Sequence, residues 1–109
     1  MSKFVIDTLD YRGKRVIFTH KKWEQKCKVH PELRKIAFLN NLKQTIEEPE
    51  MVFQNKKDRK NQRCYYKKYS IDTYVKIIVW TKFNPCCIVS AFETDYIKEE
   101  NYPELKQLL

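Results

Sequence analysis

Glycine and proline are scarce in this chain, with one glycine and four prolines in 109 residues. Together with an apolar content of 42%, that scarcity excludes a low-complexity or disordered chain and predicts a globular protein that folds unaided. No stretch has the apolar length needed to cross a bilayer, and the opening Met-Ser-Lys-Phe-Val-Ile-Asp lacks the apolar core and cleavage site of a signal peptide. A cytoplasmic protein with no membrane partner is therefore expected. Cys27, Cys64, Cys86 and Cys87 contain no C-x-x-C pair, and the adjacent Cys86 and Cys87 would face opposite sides of a strand. Neither a zinc site nor a disulfide framework is expected; the cysteines read as small buried apolar side chains.

What is abundant is positive charge. The formal net charge is +8, which points to nucleic acid, anionic lipid or an acidic protein as partner. The charge is unevenly placed. Residues 51–70 hold seven Lys/Arg and one Asp, a net of +6, whereas residues 93–109 hold five acids and two Lys, a net of −3. A basic body with an acidic tail favours a defined binding face, and the tail is able to fold onto that face when no ligand is bound.

At this length the chain is one domain, spanning 1–109, around a single core. Phe4-Val5-Ile6 and Arg15-Val16-Ile17-Phe18 read as strands flanking a turn with the only glycine, Gly13. Thr19 reads as the N-cap of a helix to about Val29, with Trp23 and Cys27 on its buried side. His30-Pro31-Glu32 starts a second helix whose Leu33, Ile36, Ala37, Phe38, Leu39, Leu42 and Ile46 form a broad apolar face, ending before Pro49. Strands are then predicted at 51–55, 63–69, 73–82 and 86–93, with a Lys/Asn-rich loop over 55–62 and at most a short helix from Tyr102. The fold class is α+β, with N-terminal helices packed on one face of a four-stranded antiparallel sheet. Val75, Ile77 and Val79 would face the helices, leaving a mixed face open.

In the run Arg63-Cys64-Tyr65-Tyr66-Lys67-Lys68-Tyr69, alternate side chains Arg63, Tyr65, Lys67 and Tyr69 form a row of cation, aromatic, cation, aromatic. Cations neutralise phosphates and tyrosine faces stack on unpaired bases, so this row, placed on the open face, suits RNA. The plainer reading is a solvated sheet face in a Lys-rich protein.

The order of short motifs carries a resemblance. A strand leading to Thr-His-Lys-Lys-Trp, Val-His-Pro-Glu-Leu at a helix junction, a Glu-Pro stop, Arg-x-Tyr-Tyr in one strand and Ile-Val-Ser-Ala-Phe in the last resemble the barnase/EndoU/colicin/RelE superfamily, in its phage and mobile-element branch of small metal-independent ribonucleases. The resemblance spans roughly residues 10–93. It implies RNA cleavage by the ribose 2′-hydroxyl on the adjacent phosphate, with no cofactor. It also implies a toxin held in check by an acidic antitoxin or immunity protein.

This chemistry needs a base, an acid and fixed cations or donors at the phosphate. His30 is the first candidate for acid or base, because imidazole titrates near neutral pH and the resemblance has a histidine at this junction. Its plainer role is to cap the turn before Pro31. Arg63 suits phosphate stabilisation by bidentate bonding, Tyr65 suits hydrogen bonding to phosphate or base stacking, and Ser90 matches the small hydroxyl that the superfamily tends to carry on its last strand. Lys67, Tyr69 and Lys76 are supporting substrate contacts, and Lys57, Arg59 and Lys60 form a steering patch with Lys56. The second acid or base stays open among His20, Tyr65 and a lysine. Trp23 reads as core and Trp80 as closing one end of the sheet. Two other classes remain: a non-catalytic RNA- or DNA-binding module on the same face, and a structural subunit docking an acidic partner.

Overall fold

The computed structural model describes residues 4–109; residues 1–3, the start of the segment read above for a signal peptide, lie outside them. The first two apolar segments form the expected antiparallel hairpin, β1 (Phe4–Leu9) and β2 (Arg15–Thr19). Its turn is tied by Asp10 N donating to the Lys14 carbonyl at 2.7 Å and Gly13 N to the Asp10 carbonyl at 2.9 Å. Gly13 has φ of 82°, the left-handed backbone that glycine adopts without a Cβ clash. Thr19 caps α1 (His20–Cys27) as expected, its hydroxyl accepting from Lys22 N at 3.2 Å. Trp23 packs against the core and donates from Nε1 to the Leu33 carbonyl at 2.9 Å.

The predicted second helix is divided. Pro31–Arg34 form a 3-10 turn, Lys35 is extended, and α2 runs Ile36–Glu47. Phe38, Leu42 and Ile46 recur four apart and are buried, whereas Ile36 at the start is 77% exposed. The break at Lys35 lets Leu33 enter the core while α2 takes its own direction across the sheet.

Four antiparallel strands follow: β3 (Met51–Asn55), β4 (Asp58–Lys68), β5 (Tyr74–Trp80) and β6 (Cys86–Thr94). The predicted Lys/Asn-rich loop is instead a tight hairpin tip, with Asn55 paired to Asp58 and β4 extended to eleven residues. The sheet is also larger than expected. It has six strands in the order β1-β2-β6-β5-β4-β3, and it is mixed because β2 lies parallel to β6 through Val16–Cys86 and Ile17–Cys87. The four-stranded antiparallel sheet is thus one part of a six-stranded one. Val16, Ile17 and Phe18 are all buried, the continuous burial of a strand covered on both faces and flanked on both edges.

The C-terminal segment contains a second 3-10 turn, Lys98–Asn101, later in sequence than β6 and earlier than the expected Tyr102 start. The chain then runs along the outer edge of β3. Gln54 N donates to the Lys106 carbonyl at 3.0 Å and Leu108 N to the Val52 carbonyl at 2.6 Å, so this edge is covered. No helix among the described residues is long and apolar enough to cross a membrane.

The main core lies between the helices and one sheet face, with Val75, Ile77 and Val79 pointing into it as expected. On the opposite face Phe53, Cys64, Tyr66 and Ile97 form a second, smaller cluster. Cys27, Cys64 and Cys86 are buried free thiols, while Cys87, on the other side of the strand from Cys86, is half-buried.

Candidate nucleic-acid interface

Register decides where the basic aromatic row goes. Arg63, Tyr65 and Lys67 lie directly opposite Val79, Ile77 and Val75, and opposed residues share a face. The row therefore points toward the helices, a correction to its expected placement on the open face. Tyr65 is completely buried and donates from Oη to Asp10 Oδ2 at 2.7 Å. Burial and the Asp10 carboxylate push its phenol well above the usual range, so at neutral pH it is a fixed donor inside the core. Lys67 Nζ donates to the Glu48 carbonyl at 2.9 Å, closing the end of α2, and Tyr69 Oη donates to the Asn41 carbonyl at 2.8 Å. These two side chains tie α2 and its C-cap to the end of β4 and the residue that follows it.

Asp10 was not a sequence candidate, yet it organises the first turn. Its carboxylate accepts from Arg12 N, Arg12 Nε and Nη2, Lys14 N and Tyr65 Oη. Burial alone would raise its pKa, but these donors outweigh burial and hold the carboxyl below its ordinary value. Tyr65→Phe is expected to cost about 1–3 kcal/mol by leaving this buried carboxylate one donor short. Urea unfolding of the variant beside wild type measures it; an unchanged midpoint would refute the bond's contribution.

The open face carries a different set. Tyr66 lies opposite Lys76, Lys76 opposite Phe92, and Ile78 opposite Ser90. A register shift beside Ile78 and Val79 places an extra residue, Val89, in β6 at this point. Ser90 and Phe92 are two apart on this face, about 7 Å along the strand. Beyond the part of β6 that pairs with β2, His30 stacks on the half-buried Phe92 with centroids 4.8 Å apart and planes 20° from parallel. The His30 side chain makes no capping bond to the following turn, so its plainer expected role is not what it does here.

Two cavities open on this face. One, of about 440 Å³, has Trp80, Cys87 and Val89 on its floor, with Lys22 from α1 and Asp58 and Gln62 from β4 at its walls. Trp80, edge-on to Phe83 at 5.1 Å, is partly exposed and so forms part of a cleft as well as the sheet's end. The second, of about 280 Å³, is lined by Lys57, Lys76, Lys98, Phe92 and Tyr96 among others. Lys76 is buried at its base, paired with Glu99 at 2.9 Å, with its ammonium 5.3 Å from the Tyr66 ring centroid. Tyr66 Oη also donates to Glu99. Burial raises the Glu99 carboxyl, but Tyr66 and Lys76 outweigh it and hold the pKa below the ordinary carboxylate value.

The acidic segment does meet the basic surface: Glu99 on Lys76, Glu104 at 3.8 Å from Arg59, and Tyr102 under Lys56 at 3.9 Å. Lys57 and Lys60 remain exposed at the hairpin tip, and His20 is exposed at the start of α1. The sequence candidates are thus separated. His30, Ser90, Lys76 and Lys57 belong to the open side; Arg63, Tyr65, Lys67 and Tyr69 to the helix side. Glu99 was missed because one of two adjacent glutamates in an acidic tail has no local signal of burial. Comparison with protein-family models, curated proteins and solved structures finds no match to this chain.

Proposed function

We propose that the protein is a small endoribonuclease that binds single-stranded RNA across the open face of its sheet. The single observation that carries this reading is the His30 imidazole stacked on Phe92 beside a cavity lined by Lys57, Lys76 and Lys98. It puts an imidazole next to cations and aromatic faces, the combination that RNA phosphates and unpaired bases require. The resemblance supplies the reaction. The 2′-hydroxyl loses its proton and attacks phosphorus, the bond to the 5′-oxygen breaks, and that oxygen takes up a proton. A 2′,3′-cyclic phosphate and a 5′-hydroxyl end result. His30 acts as acid or base, Ser90 orients the phosphate, and the exposed lysines of the hairpin tip raise the encounter rate. An acidic antitoxin or immunity protein is the partner proposed for this surface, on charge complementarity.

A second reading, a non-catalytic RNA-binding module, is favoured by one specific observation: Arg63 and Tyr65 face away from His30 and Ser90. One experiment separates the two. Purified protein is incubated with total RNA in excess EDTA, fragment ends are analysed, and binding to a short single strand is measured against salt. The enzyme reading expects cyclic-phosphate ends. Both readings expect log affinity to fall with log salt by about 0.7 per phosphate neutralised. Intact RNA that is bound sinks the enzyme, and absence of binding at moderate salt sinks both.

A further inference from the structure

A separate concentration of charge lies at the end of the sheet, where the β1–β2 turn meets the β5–β6 turn. There Arg12, Lys14, Arg63 and Lys82 line a cavity of about 250 Å³, and none of its lining residues is acidic. Arg12 is committed to Asp10 through Nε and Nη2. Lys14, Arg63 and Lys82 form no ion pair among the described residues. We propose that this cavity is an anion site for a phosphate monoester or pyrophosphate group, distinct from the open face and independent of the cleavage reading.

Two features show that the site is built. The loop bearing Arg12 and Lys14 is held by the Asp10 carboxylate, which accepts from both backbone amides at 2.8 and 3.0 Å and is anchored in the core by Tyr65. On the other wall, Thr81 is fixed to the Asn61 carbonyl through its backbone N at 2.7 Å and its hydroxyl at 3.0 Å. Lys14, Arg63 and Lys82, from three separate chain segments, are thereby brought together with no ion-pair partner among the described residues, an arrangement that self-repulsion disfavours and a multiply charged anion relieves. Arg63 supplies a planar fork for bidentate contact, and Lys14 and Lys82 supply adaptable point charges, while Arg12 stays held on Asp10. Arg63 thus has a phosphate-binding role away from His30.

The test is a titration of ¹⁵N-labelled protein with inorganic pyrophosphate, following backbone amides of residues 10–14 and 81–84 and the Nε–H signals of Arg12 and Arg63. Saturable shifts confined to these groups are expected, with affinity falling at least about tenfold in Lys14→Glu/Lys82→Glu and in Arg63→Gln. Lys28→Glu/Lys35→Glu, an equal charge change on exposed residues that do not line the cavity, should keep wild-type affinity within about twofold, as interactions between exposed charges are screened by salt. Shifts that never saturate or spread over the whole basic surface, or equal losses in all the charge variants, would overturn the site. Competition names the source. Displacement of pyrophosphate by a 5′-phosphorylated oligoribonucleotide but not by its 5′-hydroxyl counterpart assigns the pocket to RNA ends, and displacement by neither assigns it to small phosphate compounds. Cleavage need not occur for either result.

Discussion

Lys76→Met is expected to destabilise the protein by about 3–5 kcal/mol, the usual cost of removing one member of a buried ion pair. Lys76 and Glu99 keep only 7% and 2% of their side-chain surface. Deleting the ammonium leaves the Glu99 carboxylate buried with Tyr66 as its side-chain donor. A domain of this size loses about 4–8 °C of melting temperature per kcal/mol, so thermal unfolding should move by more than about 12 °C. Methionine fills much of the vacated space, which isolates the electrostatic part. Lys76→Met/Glu99→Leu should recover most of the loss, because no charge is then left unpaired. A single variant within about 1 kcal/mol of wild type, the range of an exposed pair, would show that the pair is not effectively buried.

The same pair carries a pH signature. Glu99 has its pKa depressed in the folded protein, so its contribution is complete above the ordinary carboxylate value of about 4.3 and is lost as pH falls through the lower folded value. Melting temperature measured between neutral pH and about pH 3 should fall on the acid side in wild type and fall less in the double variant. Asp10, also depressed, leaves a residual acid limb in both.

His30→Ala is expected to lower RNA cleavage by about 10²–10⁴-fold, the range for loss of a general acid or base, while leaving the fold intact. The imidazole's packing partner is Phe92 in an open stack, and aromatic pairs of this kind contribute about 0.5–1.5 kcal/mol. Phe92→Leu separates position from chemistry: the imidazole remains but loses its platform, and a smaller fall is expected than in His30→Ala. Single-turnover cleavage with saturating protein measures both, and unchanged melting shows that the fold survives. Equal cleavage by wild type and His30→Ala would remove His30 from the mechanism or reveal a contaminating ribonuclease.

Much of the architecture was legible because it rests on local chemistry. Thr19 before α1, Pro31 opening the 3-10 turn, Pro49 after the end of α2 and Gly13 in the first turn each restrict backbone conformation or satisfy a terminal amide within a few residues. The alternation of Val75, Ile77 and Val79 likewise named the face under the helices. The candidate site was less legible. Period-two alternation tells which side chains share a face, but not which face is covered; that depends on register with β5, which joins Tyr65 to Ile77. The strand at 63–69 has two alternating sets, and the one with the tyrosines and cations looked solvent-facing. Tyrosine and lysine have long apolar bodies with polar tips, so Tyr65, Lys67 and Tyr69 can pack inward provided Asp10 and helix carbonyls receive their protons.

The sequence by itself determined the α+β class, the start of α1 at Thr19, the end of α2 before Pro49, the antiparallel run from β3 to β6 and the basic character of the surface, since each follows from residue type and spacing. Only the tertiary structure decided that β2 joins β6 in parallel, that the C-terminal segment covers the β3 edge, that Glu99 meets Lys76, and that Arg63 shares a cavity with Arg12, Lys14 and Lys82. These are contacts between residues far apart in the chain. Their partners are chosen by the shared burial of whole elements, a property that no short window of sequence contains.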